Sequence, residues 1–161
     1  MSNRESNKGT DNDTANIKWS DFSLIFKQVI EHSLIGIAIL NYKGYFLKVN
    51  KKACEIWEYK ECELIGKTWR DITFNEDFSI SEDYINSYEN KHIDYNASIE
   101  KRYVTGLGKI KTCKITTTAL RGSKNEILYF ITQIQDITQQ KEAIISLKKG
   151  LDIIKQLKIK T

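Results

Sequence analysis

The residues able to do chemistry are few and dispersed. Cys54, Cys62 and Cys113 form no CxxC pair, and with His32 and His92 they are scattered over both halves of the chain. A metal site needs clustered Cys or His, so no metal is expected. Three thiols cannot all pair among themselves, and reduced cysteines in a cytosolic compartment are the simpler expectation. No phosphate loop with Gly-Lys-Ser/Thr and no His-Glu-x-x-His occurs. Gly106-Leu107-Gly108 falls between two strand-like runs, whereas a dinucleotide site needs a helix next, so it reads as a hairpin turn. Glu100 and Asp136 could be imagined as an acid and a base, but nothing else supports catalysis, and no enzyme activity is expected of this chain. Asn12 and Asn96 open glycosylation sequons by chance, since no basic segment followed by an apolar one precedes them to direct secretion.

The elements that must position any site come next. The chain has 161 residues, 29% charged and 40% hydrophobic, which suits one domain with appendages. The longest apolar run, Leu34 to Leu40, is far short of the roughly 20 residues that span a bilayer. The net charge is +4. Residues 139–161 account for all of it, with six Lys against Glu142 and Asp152. Lys outnumbers Arg by 21 to 4 and proline is absent. A phosphate-binding surface more often uses Arg, so neither a nucleic acid nor a membrane is expected as partner.

Residues 1–16 are polar and charged and read as a disordered tail. Over 17–33, Phe22, Ile25, Phe26, Val29 and Ile30 repeat at the spacing of an amphipathic helix. Ile35, Ile37 and Ile39 then alternate, Asn41-Tyr42-Lys43-Gly44 turns, and Tyr45 to Val49 returns as the second strand of a hairpin. Asn50 is placed to cap the helix that begins at Lys51. Short helices are expected up to Gly66, and a longer one over Ile80–Tyr88 puts Ile80, Tyr84, Ile85 and Tyr88 on one face. Three strands follow, over Tyr95–Thr105, Ile110–Leu120 and Ile127–Ile137. In the terminal segment, Ile137, Ile144, Leu147, Leu151 and Ile154 fit heptad a and d positions, with Gln140 as a polar d. Asp136, three residues before Gln139, resembles a capping box. The pattern predicts an α+β fold: a five-stranded antiparallel sheet, helices inserted between strands 2 and 3, and a helix at each end.

In this order the residues resemble a PAS domain, the PAS/PAC sensory module of the S-box type. The resemblance covers about residues 22–138 and places the sensory domain at 34–138, with a linker or coiled-coil helix over 139–161. It rests on Gly44 in the hairpin and on Val49-Asn50 leading into a helix. Tyr59, Glu63-Leu64-Ile65-Gly66-Lys67, Asp71-Ile72-Thr73, Glu100-Lys101-Arg102-Tyr103, Gly108 and the closing Asp136-Ile137-Thr138 carry it further. The sequence departs from the commonest pattern at Glu58, where the family often has Gly, and at Asn75, where Pro is common. It departs again at Leu107, where Asp is usual, and at Thr112, where Trp often stands.

The resemblance implies a cavity lined by Ile37, Ile39, Ile65, Tyr84, Ile85, Tyr88, Ile99, Phe130, Thr132 and Ile134. It also implies that Asp136 and Thr138 couple the sheet to the output helix, with Lys101 or Arg102 as basic partner. No cofactor can be named. The Gly-x-Asn-Cys segment of the photoactive flavin branch is missing, and Ile134 stands where those relatives have Gln. Haem-binding relatives use a His on the long inserted helix, and only His92 is near. Both points argue against flavin photochemistry and against haem. The expected function is a cytoplasmic sensory module that binds a small apolar ligand or cofactor, or senses a partner, and signals through its last helix to a partner protein such as a kinase, cyclase or regulator. Phe22, Phe26, Val29, Ile144, Leu147, Leu151 and Ile154 would form a homodimer interface. Two other readings stay open: a ligand-free dimerisation or scaffold module, and the sensor part of a larger histidine kinase or diguanylate cyclase.

Overall fold

The computed structural model describes residues 18–89 and 98–159. The tail expected over 1–16 and the strand residues Tyr95 to Ala97 lie outside them. The first helix, α1, spans Trp19–Glu31, followed by strands β1 (Gly36–Asn41) and β2 (Phe46–Val49). Helices α2 (Lys51–Trp57), α3 (Glu61–Leu64) and α4 (Trp69–Ile72) come next, then a 3₁₀ turn at Asn75–Asp77 and α5 (Phe78–Glu89). The chain closes with β3 (Ser98–Val104), β4 (Ile110–Arg121), β5 (Ile127–Asp136) and α6 (Thr138–Ile159). The five strands form one sheet in the order β2-β1-β5-β4-β3, every neighbouring pair antiparallel. The α+β class and the helices between the second and third strands are therefore present.

The core lies between one face of the sheet and helices α2 to α5. Ala38, Leu40, Phe46, Val49, Ile115, Phe130 and Ile134 from the strands meet Ala53, Trp57, Leu64, Ile72, Tyr84 and Tyr88 from the helices. Asn50 begins α2. Its Oδ1 accepts from the Ala53 N–H at 2.8 Å, satisfying a donor that the helix itself leaves open.

β1 is phased one residue away from the expectation. Ile37 and Ile39 are half-buried on the outer face, and Gly36, Ala38 and Leu40 point inward. The reason is the closeness of α2. A Cβ at Gly36 would sit 3.1 Å from the Ala53 Cα, so only small residues fit beneath that helix. The strand is apolar on both faces, and alternation of bulk alone could not choose between them. Ile65 is also displaced. It follows α3 at its C-cap and is 42% exposed, while Leu64 fills the core. On α5, Ile80 faces solvent and Ser81 takes its place on the buried face with Tyr84 and Tyr88.

α1 and α6 are not covered by the domain. Phe22, Phe26 and Val29 on α1, and Ile144, Leu147, Leu151 and Ile154 on α6, are all exposed. Among the described residues, Ile30 on α1 and Ile137, just before α6, are buried at the ends nearest the sheet. No helix among the described residues is long and apolar enough to cross a membrane.

Candidate ligand cavity and signalling exit

A cavity of about 160 Å³ lies between the inner face of the sheet, α4 and α5. Leu40, Phe46, Trp57, Trp69, Ile115 and Phe130 make most of its apolar wall. Its exposed lining residues, Tyr42, Lys43, Arg70, Glu82 and Asn86, mark the mouth. Gly44 forms the lip. Its φ of +84° is left-handed, and a Cβ there would lie 2.7 Å from the Trp69 ring, so the turn needs glycine twice over.

Of the residues expected to line a pocket, Tyr84, Ile85, Ile99, Phe130 and Thr132 are brought together around this cavity. Tyr88 and Ile134 are buried in the core beside it. Ile37 and Ile39 lie on the opposite face of the sheet and Ile65 on the surface, so these three are corrected. The polar groups of the floor are paired. Thr117 and Thr132 share a hydrogen bond between their hydroxyls at 3.1 Å. The Thr117 N–H donates to the Tyr84 hydroxyl at 3.0 Å. The Tyr88 hydroxyl lies 3.1 Å from that of Tyr84 and also meets the Thr117 carbonyl. Burial, and then the contact with Tyr84, pushes the Tyr88 phenol far above its ordinary range.

Lys101 is the unexpected member of the wall. It is 6% exposed, on the same inner face of β3 as Tyr103. Its Nζ donates to Ser81 Oγ at 3.1 Å and to Thr73 Oγ1 at 3.3 Å. It also stands over the Trp69 and Tyr103 rings, at 5.0 and 4.8 Å from their centroids. Burial pushes its ammonium down to about 7, against a partial restoring pull from Asp77.

The exit from the sheet is built differently from the expectation. Asp136 is not the N-cap of α6, because the helix starts at Thr138 with its first hydrogen bond from Lys141 N–H to the Ile137 carbonyl. Asp136 Oδ1 instead accepts from the Thr138 N–H at 3.0 Å and from the Thr138 hydroxyl at 2.6 Å. The Ile137 N–H donates to the Thr112 carbonyl at 2.9 Å, and Thr138 Oγ1 accepts from the Thr112 N–H at 3.0 Å. The start of α6 is thus fastened to β4. The basic partner of Asp136 is Lys111, at 3.6 Å, not Lys101 or Arg102. Lys101 lines the cavity. Arg102 holds Asp77 with two hydrogen bonds from its side chain and one from its backbone N–H. Both belong to the packing of β3 on the turn before α5. Lys141 on α6 pairs with Glu100 on β3, a second tie to the sheet.

The model of the PAS domain family matches residues 34–139. The chain belongs to the PAS domain family. This PAS domain is 31% identical over 116 residues to the probable diguanylate cyclase DgcE of Escherichia coli K12. That stretch is 72% of this chain and 10% of the cyclase. Among solved structures it resembles the PAS domain of a Colwellia psychrerythraea protein at a TM-score of 0.67 and 18% identity, over 74% of this chain and 99% of that one. It also resembles a PAS domain from a two-component sensor histidine kinase at a TM-score of 0.60 and 22% identity, over 73% of this chain and 98% of that one. A PAS domain is a sensory module and not a catalytic one, and its relatives sit in kinases and cyclases.

Sequence reasoning missed three parts of this PAS domain. Lys101 was legible in principle, since alternation from Ile99 carries Lys101 and Tyr103 to the inner side of β3. Trp69 was not, because α4 has only four residues and shows no period. Lys111 was not, because its pairing with Asp136 depends on the register between β4 and β5.

Proposed function

We propose that this PAS domain senses a small molecule in the cavity between α5 and the sheet and passes the change to α6. It does so as a cytoplasmic homodimer and as the sensor part of a longer signalling protein such as a kinase or cyclase. The observation that carries this reading is continuity. Phe130 and Thr132 on β5 line the cavity, and the same strand runs into Asp136 and α6 with no intervening loop. A ligand that shifts β5 therefore acts on the Asp136, Thr138 and Thr112 contacts that fix where α6 begins. A difference of a few kcal/mol in ligand affinity between two such arrangements is enough to change their populations substantially.

The exposed apolar stripes of α1 and α6 support association with a second chain. They also favour a second reading, a ligand-free dimerisation module. Mass spectrometry on a denatured extract of the purified protein separates the two. A stoichiometric co-purified small molecule supports sensing. An empty, still dimeric protein that binds nothing from a metabolite panel supports the scaffold.

A further inference from the structure

Lys101 puts a buried cation into a cavity lined mostly by apolar and aromatic side chains, with the hydroxyls of Ser81, Thr117 and Thr132 among them. Moving an ammonium out of water is costly unless it is paired and hydrogen-bonded. Its partners here are two hydroxyls and two ring faces. Thr73 Oγ1 already donates to the Trp69 carbonyl and Ser81 Oγ to the Asp77 carbonyl, so each has only a lone pair left for the lysine. Those two contacts use two of the three N–H bonds, and the third has no acceptor among the described residues. No carboxylate there makes an ion pair with Nζ. Asp77, the carboxylate whose field reaches it, is committed to Arg102. Glu82 at the mouth is taken by Arg70. The lining thus carries Lys101, Lys43 and Arg70 against Glu82 alone.

Resting on the ligand-sensing reading, we infer that the cavity takes a small organic monocarboxylate with an apolar body of about one aromatic ring. Its carboxylate pairs with Lys101 Nζ and its body lies against Trp69, Tyr103 and Phe130. The size follows from the volume, because an apolar cavity of about 150 Å³ accepts benzene. The charge follows from the third N–H, which an anionic oxygen satisfies with a charge-assisted hydrogen bond.

The pH dependence is set by Lys101. Burial holds two of the titratable groups around it neutral: the Cys113 thiol on β4 is pushed up to about 12, and the Tyr103 phenol on β3 well above its ordinary value. Asp77, before α5, is held ionised by Arg102, and Arg70 on α4 and Glu82 on α5 pair with each other. A bound carboxylate stabilises the ammonium and raises its pKa, so carboxylate affinity is highest below about pH 7 and declines above it.

The test is calorimetric titration of the full chain, and of Lys101→Met, with benzoate, phenylacetate and butyrate, and with neutral benzyl alcohol. Methionine keeps much of the lysine's length without its charge, and an unchanged circular dichroism spectrum shows that the variant folds. The expected result is that at least one carboxylate binds the native chain and loses about tenfold or more on Lys101→Met, with benzyl alcohol nearly unaffected. Its affinity for the native chain also falls between about pH 6 and pH 9. Equal binding of the carboxylate to both proteins overturns the inference. Binding of benzyl alcohol with no carboxylate bound also overturns it and leaves the ligand-sensing reading standing. Binding of none of the four removes the inference and counts against that reading as well.

Discussion

The side-chain amide of Asn50 donates a hydrogen bond to the carbonyl oxygen of Ile30 at 2.8 Å. One fully buried side chain thereby joins the cap of α2 to the end of α1. The same amide donates to the Ile35 carbonyl at 3.0 Å, and its oxygen also accepts from the Ile37 N–H at 2.9 Å. Asn50 is 0% exposed, and its bonds to the Ile30 carbonyl and from the Ala53 N–H are buried, while those to Ile35 and from Ile37 are part-buried.

Asn50→Ala removes the side-chain partner of four backbone groups, two of them in buried bonds; the Ile30 carbonyl keeps a long bond from the Ser33 N–H at 3.4 Å. The expected cost is about 3 kcal/mol, read as a lower urea midpoint with an unchanged slope. Amide exchange in α1 rises with it, because the anchor at Ile30 is lost. A loss under about 0.5 kcal/mol would show that the four groups find other partners.

Asp136→Ala removes the acceptor for the Thr138 N–H and the nearer of two acceptors for its hydroxyl, the other being the Thr112 carbonyl at 3.4 Å. The sheet does not depend on either bond. The expected outcome is faster hydrogen exchange in the first turns of α6 with unchanged protection in β4 and β5. If the whole domain unfolds, or α6 is unaffected, Asp136 has no part in coupling the sheet to the helix.

The Asp77 carboxyl is held below the usual carboxylate range, first by the Arg102 guanidinium. A depressed folded-state value means that the unfolded chain binds a proton more readily. The contribution is therefore complete above about pH 4 and lost as the pH falls below it. Asp77→Asn is expected to cost about 1–3 kcal/mol at neutral pH. The gap to the native chain closes in acid, measured by urea unfolding from about pH 6 down to about pH 3.

Lys101 has the opposite sign. Its folded-state value lies below the unfolded one, so the unfolded chain binds more protons between about pH 7 and pH 10. Stability rises with pH through that window. Lys101→Met removes the penalty at every pH. It is expected to be more stable than the native chain by a few kcal/mol at about pH 7, with the advantage shrinking toward about pH 10. Parallel unfolding curves for the two proteins cancel the titration of all other groups. A constant difference across the range would sink the assignment.

Leu147 and Leu151 are 68% and 57% exposed on α6. A charge on that stripe opposes any helix-to-helix seam. Leu147→Glu with Leu151→Glu is expected to shift the chain from dimer to monomer at tens of micromolar in sedimentation velocity, with the fold intact. A native chain that is already monomeric there rules out self-association through α6.

The fold was legible because its largest signals are local. Period changes separated the strands from α1, α5 and α6, and Gly44 and Gly108 marked turns. The cavity was legible only in part. α5 puts Tyr84 and Tyr88 on one face, so Tyr84 could be placed from its spacing, whereas Phe130 and Thr132 on β5 were placed by the family resemblance, because that strand carries bulk on both faces. β1 has bulk on both faces, and its phase was decided by how closely Ala53 approaches Gly36, a contact between separate elements. The partner of Asp136 was equally out of reach. Lys111 and Asp136 are 25 positions apart in sequence, and only the pairing of Cys113 with Asp136 in the sheet brings them together.

Gly36, the first residue of β1, lies opposite Ile134 near the end of β5. The polypeptide therefore enters and leaves the central pair of strands side by side, about 5 Å apart. A unit with both doors in one wall can be spliced between two segments of a longer chain without rerouting either of them. It can also be duplicated in series, each copy hanging from the backbone like a pendant. Force arriving along the incoming segment needs only one strand spacing to reach the outgoing one.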